Sequence, residues 1–113
     1  MTARVYVPTT LTGLAGYVDR GAIPGSAERV VADGEDEESE YAALMTAADV
    51  SAQMLDGPGR RVVIVAEPPD TEGDLPMRLV VAVHVDTEDD AGADDDLAWY
   101  ASQEIPDLVA GRS

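Results

Sequence analysis

His84 and Asp86 stand two residues apart in the run Ala82-Val83-His84-Val85-Asp86. On a strand that spacing puts both side chains on one face, where a carboxylate can orient an imidazole as a base or a metal ligand. Asp86, Glu88 and Asp90 then recur at every other position, as the hard oxygen ligands of a calcium loop do. The rest of that pattern is missing. An EF-hand needs Gly at its sixth position and Glu at its twelfth, where this chain has Ala91 and Leu97. There is one histidine and no cysteine, which removes thiolate metal sites, cysteine nucleophiles and disulfides together. The plainer expectation is a surface histidine followed by a solvated acidic loop over residues 86–96.

Other candidates for chemistry are weaker. Thr9, Thr10 and Thr12 sit where a strand feeds a helix, a place where free amides can hold an anion, but the Gly-rich loop and Lys of a phosphate cradle are absent. A helix N-cap is the expected role. Ser39 and Ser51 have His84 as their one histidine partner in the chain, so nothing supports a hydrolase triad. Trp99, Gln103 and Glu104 form the strongest local feature for binding a partner. Adjacent Trp99 and Tyr100 cannot turn both rings to the core, and Trp is enriched at interface centres. The competing reading is that Trp99 covers the edge of the core.

The elements that must position these residues are legible in outline. Arg4-Val5-Tyr6-Val7 reads as a strand ended by Pro8, and Leu11, Leu14, Ala15 and Val18 give a helix stopped by Gly21, with Gly13 and Gly16 as weak points. Pro24-Gly25-Ser26 is a turn, and Arg29-Val30-Val31 is a candidate short strand. The strongest helix runs from Asp36 to about Asp56, with Tyr41, Leu44, Met45, Ala48, Ala52 and Leu55 on its expected core face. Val62 to Ala66 is apolar on both faces and reads as an interior strand; Met77 to Val85 reads as another, with Leu79, Val81, Val83 and Val85 on one side. A last helix is expected from Asp94 or Asp95, carrying Leu97, Tyr100, Ala101 and Ile105 and interrupted by Pro106, then a loose tail over 111–113. The sum is one α+β domain over 1–113, a mixed sheet of three or four strands with about three helices mainly on one face.

Charge restricts the partners. The formal net charge is -16, all seven basic residues are arginine, and 13 of the 23 carboxylates fall in two runs, Asp33–Glu40 and Asp86–Asp96. Such a surface repels phosphate backbones, so direct nucleic-acid binding is not expected. Both runs precede expected helices, where the positive end of the macrodipole accounts for part of them. The longest apolar run, Leu79 to Val83, is far shorter than a membrane span, and no basic start with an apolar stretch opens the chain, so a cytoplasmic protein with no membrane partner is expected.

Several segments together resemble an uncharacterised family of small actinobacterial proteins: Arg4-Val5-Tyr6-Val7-Pro8, Glu40-Tyr41-Ala42-Ala43-Leu44, Arg60-Arg61-Val62-Val63, Ala82-Val83-His84-Val85-Asp86 and Trp99-Tyr100-Ala101-Ser102-Gln103-Glu104-Ile105. The resemblance implies a cytoplasmic setting and carries no activity with it.

The expected function is a non-catalytic, acidic protein–protein interaction domain that engages a basic partner surface, without a cofactor, as a monomer or a dimer joined through apolar surface. The alternative is a divalent-cation-dependent protein or small enzyme using His84, Asp86 and the acidic loop.

Overall fold

The computed structural model describes residues 4–55, 57–89, 91–92 and 95–111. Its elements are β1 (Val5–Thr9), α1 (Leu11–Arg20), β2 (Ala22–Ile23), β3 (Val30–Val31), α2 (Glu37–Met54), β4 (Val62–Ala66), β5 (Leu75–Pro76), β6 (Val80–Val85), β7 (Ala98–Ala101) and α3 (Ile105–Val109), with short 3-10 turns at Met77–Leu79 and Ser102–Glu104. One sheet has the order β3-β1-β4-β6-β7, every neighbouring pair antiparallel; β2 and β5 pair separately. The α+β class therefore holds, but the main sheet has five strands and is antiparallel throughout, not a mixed sheet of three or four. Arg29-Val30-Val31 does supply a strand, reduced to its last two residues.

Both faces of this sheet are covered at its centre, which explains why β4 is apolar on each side. Val62, Ile64 and Ala66 join Val5, Val7, Val83 and Val85 on one face, under Leu14 of α1 and Ile105 and Leu108 of α3. Val63 and Val65 join Tyr6 and Ala82 on the other, under α2. The helices thus lie on two faces instead of mainly on one. The first strand does not end at Pro8 as expected but runs on to Thr9: Pro8 stands beyond the end of β3, which pairs only with Val5 and Tyr6, so its missing N–H leaves no bond unmade on that side.

Helix α1 follows the expectation at both ends. Thr10 Oγ1 accepts from the Gly13 N–H at 3.0 Å, and Gly21 closes the helix at φ 76°. Gly13 has a packing reason: a Cβ there would collide with Thr9 Oγ1. Val18, expected in the core, is exposed, and Leu14 carries the buried face.

Helix α2 starts where expected, at an Asp36 cap whose carboxylate accepts from the Ser39 N–H and Oγ at 3.0 and 2.8 Å. The side-chain bond from Ser39 holds the Asp36 carboxyl below its usual range. The core face, however, is rotated. Ala43, Ala47, Ala48 and Ser51 are buried, whereas Tyr41 and Ala52 are exposed and Leu44, Met45 and Leu55 lie at the margin. Tyr6, Val63 and Val65 already fill the sheet surface beneath, so the helix approaches through its smallest side chains. Ser51 is fully buried: its Oγ donates to Thr9 O at 2.6 Å and accepts from the Val62 N–H at 2.9 Å, joining the helix to the ends of β1 and β4.

Two further expectations are corrected. The stretch from Met77 to Val85 begins with a 3-10 turn, and a register shift opposite Val65–Ala66 interrupts its alternation, so Val80 is buried and Val81 exposed. The segment expected as the last helix is instead β7, followed by the 3-10 turn and a short α3 in which Pro106 occupies the first turn. Trp and Tyr favour a pleated surface, and the open side of β6 offers the backbone partners that a helix would not need. The second acidic run thus precedes a strand, and the macrodipole argument does not apply to it.

At the opposite corner Arg29 ties two loops together through carbonyls, beside a Gly25 N–H that donates to the Asp74 carboxylate at 2.7 Å across the same loops. Its guanidinium donates to the carbonyls of Pro24, Ala27, Thr71 and Gly73 at 2.9 to 3.2 Å. Among the described residues, no helix is long and apolar enough to cross a membrane.

Candidate functional site

The register of β6 and β7 pairs His84 with Trp99 and Ala82 with Ala101. These four share the face that carries α2, because His84 is also opposite Val63 of that face. Helix α2 packs mainly on β1, β3 and β4, so the β6–β7 end of the face extends past it. Trp99 is 62% exposed there, the most exposed large hydrophobic side chain among the described residues. Its neighbour Tyr100 turns to the other face and packs against the α1–α3 core. The expectation that only one of the two rings reaches the core is met, on a strand and not on a helix.

β7 is an edge strand four residues long with no proline, charge or bulge within it. Gln103 and Glu104 follow in the 3-10 turn, both exposed. Glu104 Oε2 accepts from the Ala101 N–H at 2.8 Å. That amide therefore points away from β6, and by antiparallel alternation the N–H and C=O of Trp99 point the same way. At the other end of the strand Asp96 accepts from Tyr41 Oη at 3.0 Å, and Asp95 accepts from the Gly92 N–H at 2.7 Å.

Burial in the sheet holds the His84 imidazole below the ordinary histidine pKa. The unfolded chain then binds a proton before the folded chain does, so stability is full above about pH 6.5 and falls as pH drops through that value, levelling off below the depressed folded pKa. Thermal melts from about pH 7 to about pH 5.5 should show this decline. His84→Gln should flatten it; an unchanged slope in that variant would contradict the assignment.

Of the proposed ion ligands, Asp86 and Glu88 face different surroundings. Asp86 is 1% exposed and turned inward, with Oδ2 accepting from the Arg61 N–H at 2.9 Å and from Arg61 Nε at 2.8 Å, and Oδ1 accepting from Arg61 Nη2 at 2.8 Å. Arg61 is 3% exposed and also reaches the Asp95 carbonyl at 2.8 Å; the bond to Asp86 raises its pKa above the ordinary arginine value. Glu88 is exposed, His84 lies on the sheet face, and Asp90 lies outside the described residues. Among the described residues, no three His, Cys, Asp or Glu side chains gather as a metal site. The cleft above Arg61 and Asp86, about 210 Å³, also has Asp49, Asp89 and Ala91 on its walls.

Arg61 as the partner of Asp86, and Ser51 as a buried bridge, were missed in the sequence. For Arg61 a signal existed: it precedes β4 as Asp86 follows β6, and antiparallel pairing of Val62 with Val85 sets them opposite each other. No signal of that kind marks Ser51.

No match was found among curated proteins or solved structures. A family model does match, over residues 3–109, nearly the whole chain. The chain therefore belongs to the family of unknown function DUF6912.

Proposed function

We propose that the protein is a non-catalytic interaction domain that binds a partner protein through the Trp99 end of its sheet. The observation that carries this reading is a single large aromatic ring, 62% exposed, on an uninterrupted edge strand beyond the cover of α2. A Trp so exposed contributes little to the core, whereas at an interface it supplies rigid apolar area with few rotamers to order. Gln103 and Glu104 form the polar rim. The net charge of -16 steers encounter toward a basic surface and opposes self-association through acidic contacts. A cytoplasmic setting and a monomeric state, or a dimer joined through apolar surface, belong to the same proposal.

The test is affinity capture from the source cell with wild-type and Trp99→Ala baits. A protein held in stoichiometric amount by the wild type, lost with Trp99→Ala and released by raised salt is the expected result. Equal retention by both baits would place the binding surface elsewhere.

A further inference from the structure

The outer edge of β7 is chemically specific as well as open. Between the Trp99 backbone groups turned outward and the Ala101 N–H taken by Glu104, an extended chain alongside β7 would find main-chain partners at Trp99 and a carboxylate where the pairing stops. The opposite end is marked by Asp95 and Asp96. Among the described residues, the hydrogen bonds to these three carboxylates come from uncharged groups: a Tyr41 hydroxyl and the amides of Gly92 and Ala101. Of the arginines, Arg4 is engaged with Glu40 and Glu67, Arg60 with Asp89, Arg29 with carbonyls, and Arg61 with the Asp86 carboxylate and the Asp95 backbone carbonyl.

A strand that lacks internal charge and has acid at both ends discriminates between occupants. A second copy paired antiparallel through β7 would set Asp95 and Asp96 of one chain near Glu104 of the other, so like charges oppose that pairing twice. A basic extended segment meets the opposite situation: its backbone pairs with Trp99 while its cations answer the carboxylates. The four residues of β7 span about 13 Å at the usual rise, which sets the interval between those cations at roughly four to six residues.

We propose that β7 accepts, as a sixth strand, an extended peptide segment carrying two basic residues about four to six positions apart, with Trp99 covering the apolar residues between them and Glu104 and Asp95–Asp96 pairing with the basic ones. This rests on the interaction reading above and adds the chemistry of the partner and its mode of docking.

The experiment is selection of random twelve-residue peptides displayed against the wild-type chain, then titration of the selected peptides followed by the emission of Trp99, the one tryptophan. Enrichment of Arg or Lys at the stated interval between β-branched residues is the expected result. Emission should shift toward shorter wavelengths on binding. Affinity should fall tenfold or more in Trp99→Ala and severalfold in Glu104→Gln, whose amide oxygen still accepts from Ala101. N-methylation of the peptide backbone at alternate positions tests the mode without altering the protein, and it should abolish binding at one parity only.

Binders that need Trp99 but tolerate N-methylation at both parities, or that lack basic residues, would overturn strand addition and leave the interaction reading standing. Failure to select any peptide whose binding depends on Trp99 would overturn both. So would a dimer in sedimentation that Trp99→Ala dissociates overturn the basic-segment assignment, in favour of a second copy.

Discussion

Asp86→Ala should destabilise the fold by about 3 to 5 kcal/mol, because it strands the Arg61 guanidinium in a site that is 3% exposed. Against a net stability of about 5 to 15 kcal/mol for a natural domain, such a loss leaves little margin. Thermal midpoints should drop by roughly 12 to 20 °C. Arg61→Ala should cost a similar amount for the complementary reason, a buried carboxylate with no cation. The double replacement Arg61→Met with Asp86→Leu should recover part of the loss and not all of it. The desolvation of both charges disappears, but the Arg61 N–H and the Asp95 carbonyl lose their partners. Glu88→Ala, two residues along the same acidic run and exposed, should change stability by no more than about 0.5 kcal/mol. If Glu88→Ala and Asp86→Ala melted alike, Asp86 would have to be a surface ligand after all.

Ile64→Ala should cost about 2 to 5 kcal/mol, and Ile64→Val about 0.5 to 1.5. Ile64 is at the centre of the middle strand, fully buried, with Val7 opposite it on β1 and Val83 on β6. Packing on both sides limits how far a cavity there can collapse. The same reasoning separates two valines that simple alternation would treat as equivalent. Val83 is fully buried and Val81 is 38% exposed, so truncation of Val83 should be costly while Val81→Ala should be close to neutral. Equal losses in urea titrations would mean that the register shift beside Ala66 is absent.

Much of the fold could be read from residue pattern, and the failures have definite causes. A threonine cap and the Gly21 stop of α1, and the start of α2 near Asp36, carry their instructions locally, in a side-chain acceptor or a left-handed backbone, and are legible in the sequence. So is the interior strand at Val62–Ala66, whose two apolar faces leave few alternatives. The face of α2 was misjudged because size was taken for burial: the larger side chains ring a contact made by alanines and Ser51. Residues 97–105 carry a helical period at Leu97, Tyr100, Ala101 and Ile105 and yet form a strand and a turn at their start. What decides their conformation is the open side of β6, far away in sequence.

The candidate site was legible in type and not in setting. Trp99 was expected to be partly exposed and is, but its place on a sheet edge depends on a pairing that the periodicity did not reveal. Asp86 was singled out for its spacing from His84 and Glu88. Its burial follows instead from an antiparallel register that sets it opposite Arg61, information held by two strands jointly and by neither alone.

The corner tied by Arg29 behaves differently from everything else on this anionic surface. Four carbonyl dipoles hold its cation, and backbone carbonyls are neutral acceptors that do not titrate. Acid acts on the surrounding carboxylates, including the Asp74 carboxylate that accepts from the Gly25 N–H at 2.7 Å across the same two loops, but it leaves the four bonds of Arg29 without a group to protonate. The Arg29 cluster is thus a fastening whose strength does not depend on any carboxylate's charge, on a protein whose outward character does.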